Sequence, residues 1–308
     1  MNGYQSWTDS HEKLPHHKEH VMAGFMNKIV ENYHLRPYGD YDFTKRPVSS
    51  GQFHGFTYCY FRMGEQYRFL GSLSEREGYT VFYYDVKKQK MQIEKDCKGL
   101  HVDKEWTLFH LTNLNGSENE VFDAYFRKMK IQKPKGRPMT GYTSWYNHYQ
   151  NISEEIILDN LSAAVETKQD WDIFQIDDGF QTHVGDWLSI DVKKFPNGLK
   201  PVVDKIHQTG MKAGLWLAPF VCETDSMCYR EHPDWLERGE DGKPLCAGNN
   251  WTKFYTLNLE NPSVRAYLKE VFHNVLDLWG FDLVKLDFLY AACIQPTPEK
   301  TRGQRMCE

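Results

Sequence analysis

Ile173-Phe174-Gln175-Ile176-Asp177-Asp178-Gly179 decides the fold. A short apolar run stops at two carboxylates and a glycine, the pattern of a buried strand that turns polar at its C-terminal end. The same design recurs nearby: a short strand ends near Trp145, Met211–Ala218 contains Trp216, and Phe281–Phe288 contains Asp287. Helical segments lie between. Ser153 caps one running to about Thr167, Leu199–Thr209 stops at Gly210, and Pro262 opens one running to about Trp279 and stopping at Gly280. Strands joined by helices imply a parallel sheet, either doubly wound or closed into a (β/α)8 barrel. Polar and aromatic residues gathered at the C-terminal strand ends favour the barrel. The first strand is followed by no glycine-rich phosphate loop, which argues against the dinucleotide-binding alternative. The expected fold class is α/β plus β, with about four β/α units, half a barrel, in residues 133–308.

Residues 1–132 have a different texture. Phe56–Met63, Gln66–Leu73, Tyr79–Val86, Lys90–Glu94 and Trp106–Leu111 read as strands, the first two joined at Gly64-Glu65 as a hairpin. Ser117-Glu118-Asn119-Glu120 has capping-box spacing and opens a helix to about Lys130. Lys133–Pro138 reads as a linker. The first part is therefore expected to be a β domain, part of a sandwich.

Composition narrows the function. The formal net charge is −5, with 37 Lys and Arg against 42 Asp and Glu, so a nucleic-acid surface is not expected. The N-terminus lacks a signal-peptide pattern, and the longest apolar run, Ala213–Val221, is too short to span a bilayer; a cytoplasmic protein without membrane contact is expected. Seven cysteines, an odd number with no CxxC pair, read as free thiols. His11, His16, His17 and His20 do not repeat a ligand spacing, so neither a metal nor another cofactor is expected.

The chemistry-bearing residues lie at the strand ends. Lys285 and Asp287, two apart, share a strand face, which implies mutual neutralisation or a polar pocket. Asp177 and Asp178 are adjacent and point apart, which suits holding several hydroxyls of one ligand; the alternative is an N-cap or an Asx-turn near Gly179. Trp145 and Trp216 are either core or the flat walls of a pocket. Aromatic faces beside carboxylates describe a carbohydrate site, and Asp186-Trp187 is a further candidate for its wall.

Several linked motifs carry a resemblance. Gly141-Tyr142-Thr143-Ser144-Trp145-Tyr146, Phe174–Gly179, Gly185-Asp186-Trp187-Leu188, Phe195-Pro196-Asn197-Gly198, Ala213–Phe220, His232-Pro233-Asp234-Trp235 and Lys285-Leu286-Asp287-Phe288 follow one another. Together they resemble the family 36 alpha-galactosidases (melibiases) of glycoside-hydrolase clan D. Asn2-Gly3-Tyr4-Gln5-Ser6-Trp7 is similar to a motif of that family's N-terminal β-supersandwich. The resemblance implies a partial supersandwich in 1–132 and the first half of the catalytic barrel in 133–308. It implies retaining hydrolysis of terminal alpha-D-galactosyl residues, as in melibiose and raffinose. On it, Asp287 is the nucleophile and Lys285 binds hydroxyls and keeps Asp287 ionised. Asp177 and Asp178 hold the 4- and 6-hydroxyls, and Trp7, Trp145 and Trp216 line the pocket. Phe180 and Tyr4 stand where the family more often has Trp. The family's acid/base aspartate comes from a later strand than any here, so the expectation is a fragment that is silent alone. A clan D galactosyltransferase, an alpha-N-acetylgalactosaminidase and a non-catalytic sugar-binding fragment are the alternatives, and a homo-oligomer is in keeping with the family.

Overall fold

The computed structural model describes residues 2–5, 8–20, 27–40 and 43–308. The chain divides into two units, one made of the segments through Lys135 and from Cys293 to Glu308, the other of Gly136–Ala292.

In the first unit two three-stranded antiparallel sheets form. One has the order β1-β4-β5 and the other β2-β3-β6, from β1 (Gln52–Phe56), β2 (Tyr58–Met63), β3 (Gln66–Ser72), β4 (Thr80–Asp85), β5 (Lys90–Lys95) and β6 (Leu111–Gly116). The aromatic run from Phe56 serves both sheets because Thr57, at φ +64°, breaks it. Its N–H donates to Thr80 O on β4, while its carbonyl accepts Ser72 N–H on β3. The hairpin closes at Gly64-Glu65 as expected, Met63 pairing with Gln66. The strand expected at Trp106–Leu111 instead runs Leu111–Gly116, because Leu111 to Gly116 pair in register with Ser72 to Tyr67. Backbone pairing outweighs the low strand propensity of Thr-Asn-Leu-Asn-Gly. The helix Glu118–Lys128 starts at the Ser117/Glu120 capping box. It buries Val121 and Tyr125 against Tyr67 and Phe69.

His54 on β1 lies between two carboxylates, with Nε2 3.3 Å from Asp40 and Nδ1 against Glu19 at 2.5 Å. Burial pushes its pKa down, but the hydrogen bonds to Asp40 and Glu19 outweigh it and raise the value from 6.5 to about 9. A raised histidine stabilises the fold fully below its unfolded pKa and loses that contribution as pH climbs through the folded one. Unfolding free energy is therefore expected to fall by about 2–3 kcal/mol between pH 6.5 and 9.5. Urea titrations across that range check this, and His54→Gln should flatten the slope; an unchanged slope in the variant would remove His54 as its source.

The last residues depart from the expected domain boundary. Residues 293–308 belong to the first unit, so the second runs 136–292 instead of 133–308. Arg302 donates to Asp96 at 2.9 Å, both side chains almost fully buried, and Thr301 and Gln304 form a capping box for the helix Arg302–Met306. A buried carboxylate far upstream needs that guanidinium, and this holds the segment there.

In the second unit, β7 (Gly141–Thr143), β8 (Ile173–Ile176), β9 (Lys212–Leu217) and, later in the chain, Leu283–Leu286 form a parallel sheet. Three short strands intervene, β10 (Val221–Glu223), β11 (Cys246–Gly248) and β12 (Phe254–Thr256), so Leu283–Leu286 is β13 and the parallel order is β13-β9-β8-β7. The three short strands make an antiparallel sheet of order β10-β12-β11. The helices Glu154–Glu166, Lys200–Gln208 and Pro262–His273 occupy the expected connections. The third continues from His273 as a π-helix over Asn274–Leu278, so the helical run reaches about Trp279 as expected. Phe174, Ile176, Ala213, Leu215 and Leu217 are fully buried in the sheet.

Candidate active site

The parallel register sets the site. Lys285 pairs with Trp216 across β13 and β9, and Asp177 follows Ile176, which pairs with Leu215. Lys285, Trp216 and Asp177 therefore form one row across three strands, and Lys285 Nζ reaches Asp177 Oδ2 at 2.8 Å. The same carboxylate oxygen accepts Gln175 Nε2 at 2.7 Å and Thr143 Oγ1 at 3.2 Å, while Oδ1 accepts the Asp178 backbone N–H at 3.0 Å. Asp177 is 1% exposed, so these donors replace the water that burial removes.

Asp178 points elsewhere, as adjacent residues at a strand end must. Its Oδ1 accepts Gln181 Nε2 at 2.7 Å, and its Oδ2 accepts Gln150 Nε2 at 2.8 Å and Trp251 Nε1 at 2.7 Å. Burial pushes its carboxyl above the usual range. The three donors pull the other way without reversing this, and the neighbouring Asp177 charge adds to it.

Gly179 makes the Gln150 contact possible. At φ +118° it adopts a backbone that L side chains rarely take, and an added Cβ would lie 2.6 Å from Gln150 O. Lys194 Nζ clamps the same approach, donating to Gln150 O at 3.0 Å and Gly179 O at 2.9 Å. Gly179→Ala is expected to destabilise the protein by at least about 2 kcal/mol from strain and displacement together. A urea midpoint equal to that of the unsubstituted protein would show that the approach tolerates a side chain.

Asp287 lies one residue past β13, half-buried. Its N–H donates to Leu217 O at 2.9 Å; its Oδ2 accepts Trp216 Nε1 at 3.1 Å and its Oδ1 accepts Phe288 N–H at 2.9 Å. Phe288 takes φ +53°, rare for a bulky residue, and this local turn closes the backbone bond onto the carboxylate. Of the two alternatives for Lys285 and Asp287, mutual neutralisation is not what forms. The ammonium turns to Asp177, which is more deeply buried and more in need of a counter-charge.

The Melibiase family profile matches residues 107–304, well over half of the chain. The chain belongs to the Melibiase family. Among curated relatives it is 34% identical over 153 residues to alpha-galactosidase Mel36A of Lactobacillus acidophilus, covering 47% of this chain and 20% of that protein. It is also 34% identical over 185 residues to alpha-galactosidase 2 of Pediococcus pentosaceus, covering 57% of this chain and 24% of that protein. The chain thus spans about a fifth to a quarter of the length of these relatives. Among solved structures, the Thermus thermophilus alpha-galactosidase in complex with p-nitrophenyl alpha-D-galactopyranoside superposes with TM-score 0.74 at 28% identity, over 99% of this chain and 57% of that one. The Geobacillus stearothermophilus alpha-galactosidase AgaA, at TM-score 0.57 and 18% identity, shares the fold.

Of the melibiase-family site residues expected from the sequence, Asp177, Asp178 and Lys285 form one hydrogen-bonded group and Trp216 and Asp287 another, and strand register sets the two side by side. Trp145 does not end a strand: β7 stops at Thr143, and Trp145 opens the short helix Trp145–His148 half-buried, its ring 5.2 Å from Tyr149. Trp7 lies outside the described residues. Asp186, a candidate for the wall, accepts the N–H groups of Met227 and Cys228 at 2.9 Å each and so holds the start of the helix Met227–Glu231. Trp187 is fully buried against Trp216, ring centroids 5.7 Å apart.

Sequence reading missed Gln150, Gln175, Gln181 and Trp251. Gln175 carries a signal, an amide inside the apolar run Ile173–Ile176, whereas Gln150 and Gln181 lie in polar loop stretches that mark neither. Trp251 lies in a polar stretch, Asn249-Asn250-Trp251-Thr252-Lys253, ahead of the short β12, and no periodicity marks it.

Proposed function

We propose that this protein carries the substrate-binding and nucleophilic part of a retaining alpha-galactosidase site. The observation that supports it is the hydrogen-bonded row at the C-terminal ends of neighbouring parallel strands: Lys285 on Asp177, Trp216 on Asp287. In this reading β7, β8, β9 and β13, parallel and in chain order, are half of a (β/α)8 barrel, whose chemistry sits at that face. The two sheets of the first unit are part of a β-supersandwich.

Asp287 attacks the anomeric carbon while the bond to the leaving oxygen breaks, and that oxygen takes its proton from a general acid other than the residues named here, or from water. A covalent beta-linked galactosyl ester results, which water then opens. Two hydrogen bonds hold the Asp287 carboxylate in place for the attack. Lys285 and Asp177 bind hydroxyls as an ion pair, and Asp178 takes a further hydroxyl. The substrates are terminal alpha-galactosides such as melibiose and raffinose; the Thermus thermophilus relative was solved with stachyose, which supports this class. Among the described residues no helix is long and apolar enough to cross a membrane. None of the seven cysteines is in a disulfide, which supports a reducing, cytoplasmic setting.

The test uses 5-fluoro-alpha-D-galactosyl fluoride, whose leaving fluoride needs no proton and whose ring fluorine slows hydrolysis of the ester. Mass spectrometry is expected to find one added fluorogalactosyl group on the peptide bearing Asp287. Label on another carboxylate, or none, would count against the assignment.

A further inference from the structure

Trp216, expected as a pocket wall, has little surface to offer. It is 2% exposed, lies between Trp187 and Trp251, and its N–H is engaged by Asp287. Trp251 lies over it, ring centroids 6.0 Å apart, and is only partly buried. Its ring packs 5.0 Å from Phe254 and 5.0 Å from Phe288, the residue after Asp287, and its N–H donates to Asp178. One side chain thus links the carboxylate at the end of β8 to the aromatic cluster beside Asp287.

The loop carrying it is built to hold still. Thr252 Oγ1 lies 3.0 Å from both Glu223 Oε2 and Thr224 Oγ1, and Thr224 N–H donates to Lys253 O at 3.0 Å. Glu223 is itself buried and accepts Val184 N–H at 2.9 Å, so one carboxylate fastens the Trp251 loop to the loop after β8. A ring held this way presents its face with little ordering left to do on binding.

We propose that Trp251 is the exposed aromatic wall of the sugar pocket and a specificity-determining residue for the galactosyl ring. This rests on the galactoside reading above. The axial 4-hydroxyl of galactose leaves the hydrogens of C3, C4 and C5 on one face, an apolar patch suited to an aromatic ring. Glucose, the 4-epimer, breaks that patch. The indole N–H has a second effect. A carboxylate offers about four acceptor positions, and Gln150, Gln181 and Trp251 occupy three on Asp178. One position remains for a sugar hydroxyl.

The test uses the whole chain labelled with 5-fluorotryptophan and read by fluorine NMR, with the Trp251 resonance identified by its loss in Trp251→Phe. Methyl alpha-D-galactopyranoside is expected to shift that resonance saturably, and methyl alpha-D-glucopyranoside to leave it in place. Trp251→Ala is expected to weaken galactoside binding about 10- to 30-fold and to narrow the preference over the glucoside. Trp251→Phe keeps the packing on Phe254 and Phe288 and frees one acceptor of Asp178, so a loss of about threefold to fivefold is expected; it also supplies the readout if the alanine variant does not fold. Saturable binding with an unmoved Trp251 resonance and unchanged affinity in the variants would overturn this inference alone. No saturable galactoside binding by the unsubstituted chain would overturn the galactoside reading and this inference with it.

Discussion

On the proposed galactosidase reading, in which only protonation of the leaving oxygen needs a further residue, replacing Asp287 with glycine is expected to lower turnover of 2,4-dinitrophenyl alpha-galactoside by roughly 10⁴-fold or more, as removal of a nucleophile does elsewhere. Added azide should then restore much of the rate and release beta-galactosyl azide. In that reading the carboxylate attacks from the face opposite the leaving group; a small anion in its place attacks from that same face, and with no second displacement the product is inverted. Dinitrophenolate leaves without a proton, so the outcome does not depend on which group serves as general acid. The bonds from Trp216 Nε1 and Phe288 N–H, both directed at Asp287, would lose their acceptor, leaving a donor-lined space for azide. An alpha-configured azide, or no rescue, would move the nucleophile elsewhere.

Lys285→Met is expected to have the next largest effect. It leaves Asp177 buried with two side-chain donors and no counter-charge on its Oδ2. Because the lysine side chain is 39% exposed, the stability loss is set low, at about 2 kcal/mol. Galactoside affinity should fall about 100-fold, since the ammonium and the carboxylate it orients are both removed from use. Adding Asp177→Asn to the lysine variant should recover most of the stability, by removing the unpaired charge, and none of the affinity. Urea unfolding and titration with methyl alpha-D-galactopyranoside separate the two. If affinity returned with stability, the pair would be structural and not a binding element.

The placement of Asp177, Asp178, Lys285 and Asp287 at or just past the strand ends was legible because each follows or ends a short apolar run that reads as a strand of a parallel sheet. Period two places Lys285 and Asp287 on one side, but it cannot say which carboxylate the ammonium reaches. That depends on a neighbour two strands away, brought close by register. Likewise, Trp145 and Trp216 read alike in sequence, yet one begins a helix half-buried and the other is sealed in the sheet. The strands β10 to β12 are each too short for any pattern to appear, and with them Trp251 was lost. In the first unit, β6 was misplaced because its residues are strand-like only in the company of β3. The domain boundary was misread for a related reason: nothing in Arg302 announces Asp96 as its partner.

That last pairing bears on the order in which the chain is made. The first unit is discontinuous, its strands synthesised early and its closing helix, Arg302–Met306, only after the whole of Gly136–Ala292. Until residue 302 arrives, Asp96 has no guanidinium, and the early strands have to be kept from mispairing at their edges. Folding of residues 136–292 in the meantime shortens the flexible loop that the Asp96–Arg302 contact must close. The parallel-sheet unit is thus expected to gain protection from proteolysis on nascent chains before the β unit does, although the β unit leaves the ribosome first.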